Sequence, residues 1–168
     1  MVVMGVSGCG KSALGQALAA ALGCPFVEGD DLHPPANRAK MAAGVPLDDE
    51  DRRPFLDGVA RAIAAPREGA LVVACSALKR DYRQRILAAG EVVFLLPLAD
   101  RETLLGRLRR RQGHFMPASL LESQLSTLEL PSADEPVVTL DGAWPVAVQV
   151  ERALAALSAG EPERADIG

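Results

Sequence analysis

The sequence predicts an α/β fold, a parallel sheet with helices on both faces. Three observations carry that expectation. The runs ALVVAC (70–75) and EVVFLL (91–96) are continuously apolar, as strands are when both faces of their sheet are covered. Apolar strand segments alternate with stretches of helical periodicity, the pattern of βαβ units with right-handed crossovers. The glycine-rich stretch GVSGCGKS (5–12) stands between an apolar run and an amphipathic segment, where a strand-to-helix turn belongs.

The elements follow in order. MVVM (1–4) opens the chain as a short strand. SALGQALAAAL comes after the glycine loop, with Leu14, Leu18 and Leu22 at helical spacing and Gly23 as the stop. PFV (25–27) makes a brief strand leading into EGDD, and PANRAKMAAG reads as a helix ended by Gly44. Pro54 starts another helix, in which Leu56, Val59, Ala60 and Ile63 form the apolar face. Beyond the strand at 70–75 the pattern gives a helix over 79–89, the strand at 91–96 and a helix over 100–111. A last strand near 136–140 and a helix over 144–158 complete the set. With 168 residues, 49% of them hydrophobic, the chain can bury one good core. No repeat or low-complexity linker divides it, so residues 1–160 are expected to form one domain and 161–168 a flexible tail.

Composition narrows the partners. Eighteen basic residues against 22 acidic ones give a net charge of -4 and no basic stripe, which argues against nucleic acid. No run of eighteen apolar residues is present to span a membrane. Gly5, Gly8, Gly10 and Lys11 interrupt the apolar start where a signal peptide needs continuity, so a cytoplasmic protein is expected. Cys9, Cys24 and Cys75 are scattered without a C-x-x-C pair and read as reduced apolar fillers.

The pattern G-x-x-x-x-G-K-[ST] is met by Gly5, Gly10, Lys11 and Ser12. In such a loop the backbone N–H groups of Val6, Ser7, Gly8, Cys9 and Gly10 turn inward around phosphate oxygens, and the helix N-terminus adds its positive end. Lys11 would reach the β- and γ-phosphates of ATP, and Ser12 would ligate Mg2+. The sole asparagine, Asn37, lies in NRAK, so the N-K-x-D signature of guanine-specific switches is absent. ALVVAC runs into Ser76 rather than an aspartate; the carboxylates follow the second short strand instead, as Glu28, Asp30 and Asp31. That arrangement points to a small-molecule kinase.

The acceptor side is read from the strand ends, where ligands of parallel sheets gather. Asp30 is either the base that aligns an attacking hydroxyl or the N-cap of the next helix. His33 is either a ligand or a loop residue before Pro34. The DDED run (48–51) reads as a solvated helix start, while Arg52 offers a guanidinium suited to a substrate carboxylate. Lys79 and Arg83, after the third strand, face the crevice or decorate a surface helix. The run RLRRRQGHFMP (107–117) is either a basic helix end or a lid over about 107–125, hinged at Gly113, whose arginines meet the transferring phosphoryl group.

Four stretches taken together, GVSGCGKS, GDDLHPPANRAKMAAGVPLDDEDRRPFL, CSALKRDYR and RRRQGHFMPASLLESQLSTLELP, resemble the P-loop gluconokinases. The resemblance runs in order from about residue 2 to 131. It implies a P-loop kinase of the nucleoside-monophosphate-kinase-like type with a mobile lid, phosphorylating D-gluconate with ATP and Mg2+, and a homodimer. It carries nucleotide roles onto Gly5 to Ser12, Arg107 and Arg111, with Lys11, Asp30 and Arg111 as catalytic residues. Acceptor roles fall on Asp30, His33, Arg52, Lys79, Arg83 and His114, and the metal on Ser12 and, through water, Glu28. Glu28 stands where related kinases often have aspartate, and Phe55 where tryptophan is common.

Overall fold

The computed structural model describes residues 1–110 and 118–159. Five strands, β1 (Val2–Val3), β2 (Phe26–Glu28), β3 (Val72–Ala74), β4 (Phe94–Leu98) and β5 (Val137–Asp141), form one sheet in the order β2-β3-β1-β4-β5. Every neighbouring pair is parallel. The helices are α1 (Lys11–Leu22), α2 (Pro35–Ala42), α3 (Asp49–Ala64), α4 (Arg80–Leu87), α5 (Arg101–Arg110), α6 (Ala118–Thr127) and α7 (Val146–Ala159), with a 3-10 turn at Gly29–Leu32. Among the described residues no helix is long and apolar enough to cross a membrane.

Strand alternation divides the core. Val2, Val73, Phe94 and Val137 point to one face, where Phe55, Leu56 and Val59 of α3 and Tyr82 and Ile86 of α4 cover them. Val3, Val72, Leu95 and Val138 point to the other, under Leu14 and Leu18 of α1 and Ala153 and Ala156 of α7. Apolar side chains are therefore needed at consecutive strand positions, which is why the strands read as unbroken runs. A third cluster, Val6, Cys9, Leu78, Leu104 and Leu121, ties the glycine loop to α5 and α6.

Two elements differ from the sequence expectation. Helix α3 begins at Asp49, where the DDED run read as a helix start, and not at Pro54, because Asp48 and Asp51 form a reciprocal capping box, each side chain accepting from the other's backbone N–H. Pro54 lies inside the helix, where its missing N–H forfeits only one helical bond. Helix α6 lies in the stretch read as lid; Leu121 is fully buried there, which anchors one end of that stretch to the body.

Register sets where the strands stop. Val3 and Glu28 both pair with Ala74, and Val3 also pairs with Leu95, so the carboxyl ends of β1, β2 and β3 lie level. Gly29, just past β2, is pressed against the carbonyl of Ala74: a Cβ there would lie 1.9 Å from that oxygen. Gly58 in α3 is the opposite case, since its Cβ would meet Leu32 at an ordinary 3.4 Å. Gly29→Ala is expected to lower stability by about 3 kcal/mol through overpacking, whereas Gly58→Ala raises it by about 0.5–1 kcal/mol through helix propensity. Urea unfolding of both variants checks the pair.

Candidate active site

The glycine loop joins β1 to α1. Gly10 is the N-cap of α1, at φ 103°, a backbone conformation open to glycine and costly for other residues. No side chain caps this helix start, so its first N–H groups point into the loop without a protein acceptor. Lys11 Nζ curls back to donate to the Val6 carbonyl at 3.0 Å. The loop is pinned from below by Gly5 N, which donates to the Ser76 carbonyl at 3.1 Å. From α6, Gln124 Oε1 accepts from Ser7 N at 2.7 Å. Arg107 of α5 donates to the Cys9 carbonyl at 3.4 Å and the Gly142 carbonyl at 2.6 Å, so it lies against the loop where the nucleotide role was expected. The loop, the uncapped helix start and a lysine at its first turn fit a nucleoside triphosphate.

Asp30 sits in the 3-10 turn beyond β2 and is exposed; α2 has Pro34 at its N-cap, so Asp30 does not cap it. Glu28 closes β2, half-buried. Lys11, Asp30 and Arg52 all lie close enough to the buried Cys75 thiol, at the end of β3, to act on its charge. Burial dominates that thiol and pushes it up to about 12. The sequence residues from the loop, the second strand and α3 thus converge around one strand end.

His33 is buried and stacks face to face on Phe55, with ring centroids 3.8 Å apart and planes 6° from parallel. Its Nδ1 lies 3.4 Å from Asn37 Nδ2. Burial lowers its pKa to about 4, with Arg52 and Arg38 adding to the effect and Asp30 opposing it. The ring is neutral at pH 7. Arg52 is buried beside it, and among the described residues no carboxylate is paired with its guanidinium, which lies 6.0 Å from the Tyr82 ring centroid. Lys79 Nζ sits on the same ring at 5.6 Å and bonds both Asp49 oxygens, at 2.7 and 2.8 Å. Tyr82 also donates to Asp49; Lys79 and Tyr82 together hold the Asp49 carboxyl below its usual range, and burial and Asp49 raise the Tyr82 phenol. Arg52, Lys79, Tyr82, Asp49, Leu47 and Thr127 enclose a cavity of about 430 Å³. A larger cavity, about 840 Å³, lies at the opposite ends of the strands around Met1, Leu71 and Val93.

One expected acceptor residue is corrected. Arg83 is fully buried and makes a bidentate ion pair with Glu135, its Nε and Nη2 each donating to one carboxylate oxygen. Its remaining donor holds the carbonyls of Ala77, Leu78 and Glu129. With its side chain fully buried it does not reach a substrate; the pair instead braces the turn that carries Lys79, in which Ala77 adopts φ 40°. Arg111 and His114 lie outside the described residues. The sequence reading missed Asn37, Asp49, Tyr82, Gln124 and Glu135, whose roles depend on partners distant in the chain; only Asn37, four residues after His33, had a partner nearby in sequence.

The fold and the glycine loop define a P-loop kinase of small molecules, with the loop and an open cleft at one sheet edge. The family model for shikimate kinase matches residues 7–132. The chain is 51% identical over 148 residues to a gluconokinase of Gluconobacter oxydans (strain 621H), covering 84% of this chain and 82% of the relative. It is 48% identical over 139 residues to the thermosensitive gluconokinase of Escherichia coli (strain K12), covering 80% and 73%. A crystal structure of a gluconokinase from Sinorhizobium meliloti 1021 superposes with a TM-score of 0.86 at 47% identity, covering 94% of this chain and 90% of that one. The chain belongs to the gluconokinase family.

The buried pair gives a stability prediction. The Arg83 guanidinium holds Glu135 down to about 2. A depressed carboxylate adds stability that is complete above its unfolded value of 4.5 and fades as pH falls toward 2. Glu135→Ala should therefore lose about 3–5 kcal/mol at pH 7, because it strands a buried cation. The gap to wild type, followed by denaturant unfolding, should narrow between pH 4.5 and 2.

Proposed function

We propose that this protein transfers the γ-phosphate of ATP to the 6-hydroxyl of D-gluconate, giving 6-phosphogluconate and ADP. The observation that carries the reading is the buried Arg52 guanidinium, which lines the acceptor cavity and has no carboxylate partner among the described residues. A buried guanidinium needs an anion, and a sugar acid supplies one. Arg52 and Lys79 bind the carboxylate end. Asp30 accepts a hydrogen bond from the attacking hydroxyl and aligns it. Lys11 and the α1 N-terminus draw the charge developing on the transferring group.

Ser12, at the first turn of α1, and Glu28, through water, are the residues that would hold Mg2+. A divalent ion held there would supply positive charge to the nucleotide's phosphates. The proposal includes a lid over about 107–125 on a single domain spanning 1–160, Arg111 on the γ-phosphate, His114 on the acceptor, a homodimer and a cytoplasmic location. The roles of Arg111 and His114 and the homodimer rest on the sequence resemblance, the lid also on the arginine run, and the single domain and location on composition.

Steady-state ADP release from Mg·ATP, with D-gluconate, shikimate and other polyol acids as separate acceptors, tests the reading. Gluconate should stimulate turnover selectively; Lys11→Ala and Asp30→Asn should each lower it at least about a hundredfold, with folding unchanged by circular dichroism. Stimulation by shikimate in place of gluconate would move the acceptor, and release indifferent to any acid would remove it.

A further inference from the structure

Asn37 is the chain's one asparagine and is buried beside His33. Its Nδ2 lies 2.5 Å from the backbone carbonyl of Asp51 and 3.4 Å from His33 Nδ1. A peptide carbonyl only accepts, so the atom facing it must be the amide nitrogen; the reverse orientation would set two oxygens against each other. The NH2 group carries two hydrogens. One is committed to Asp51, and the other is directed at Nδ1, which must then be the unprotonated nitrogen of a neutral ring. The ring's own proton is left on Nε2, and no described residue accepts from it.

The surroundings hold this choice. Phe55 fixes the plane of the imidazole by stacking. Asp51, which receives the amide, belongs to the capping box that starts α3, and its carboxylate is bonded by Lys40. The first turn of α3 therefore fixes Asn37, and Asn37 with Phe55 fixes His33. Charged groups acting on the ring are Asp30 on its own turn, Arg38 on α2 and Arg52 on α3. Asp30 accepts and Arg52 and Arg38 carry charge, so among the groups around it the ring offers a neutral donor.

We propose that Asn37 is a positioning residue that fixes His33 as the Nε2–H tautomer, so that the ring donates a hydrogen bond to an oxygen of the acceptor bound beside Asp30. The second half rests on the acceptor site proposed above; the tautomer does not.

Long-range 1H–15N correlation spectra of the full uniformly labelled protein test it, because the chain has only two histidines, His33 and His114. His33→Gln assigns the resonances. At pH 7 His33 should show a pyridine-type Nδ1 and a pyrrole-type Nε2. Asn37→Asp replaces the donor with a carboxylate that accepts from Nδ1, so it should protonate Nδ1. The KM for gluconate should then rise about tenfold, the loss of one good hydrogen bond, with the KM for ATP unchanged. A pyrrole-type Nδ1 in the wild type would overturn the proposal, and this reading needs no variant to fold. A tautomer that switches in Asn37→Asp while the gluconate KM stays fixed would overturn the donor role. If gluconate proves not to be a substrate, the free-protein spectrum still decides the tautomer, so the two failures are separate.

Discussion

The chemistry of this molecule depends on three strand ends lying level at one edge of the sheet. Ala74 pairs with Val3 on one side and Glu28 on the other, and that single register brings the phosphate loop, the Asp30 turn and the Lys79 turn to the same height. Gly29 against the Ala74 carbonyl and Gly5 N on the Ser76 carbonyl are the close approaches that permit it. A one-residue slip would turn each strand's side chains to the wrong face and separate the cradle from the acceptor cleft.

Around that edge, rigidity comes from polar groups paired within the fold. The Arg83–Glu135 pair holds the carbonyls of the turn before α4, and the Asp48–Asp51 capping box holds the start of α3. A buried pair such as Arg83–Glu135 contributes little net stability compared with apolar packing, yet breaking it is expensive, which makes it effective at fixing a single geometry. The residues facing the cleft are supported from behind: Tyr82 beneath Arg52 and Lys79, Phe55 beneath His33. Phosphoryl transfer asks mainly for positioning and charge, so a scaffold built this way is suited to it.

The alternation of strands and helices and the glycine loop were legible because each is written in adjacent residues. Continuous apolar runs signalled a sheet covered on both faces, and the spacing Gly5, Gly10, Lys11, Ser12 specified the cradle. The start of α3 was legible in the DDED run, while Pro54 suggested a second, later start; the capping box that decides between them needs both Asp48 and Asp51 to be seen together. Arg83 was misplaced for a similar reason: a cation after a strand end looks like a ligand until Glu135, 52 residues later, takes it. Asp49 and Tyr82 were passed over since Asp49 lies 30 residues from Lys79 and 33 from Tyr82. Local patterns reveal elements and loops; side chains satisfied across the fold leave no such trace.

The central claim is that the phosphate cradle and the Asp30–Arg52 cleft form one active centre for a sugar acid. Its most direct test is the product. Uniformly 13C-labelled D-gluconate incubated with the protein and Mg·ATP should yield a single species with phosphorus coupling at C6, and none with Lys11→Ala. Phosphorus at another carbon, or ADP formed while the gluconate signals stay unchanged, would contradict the account.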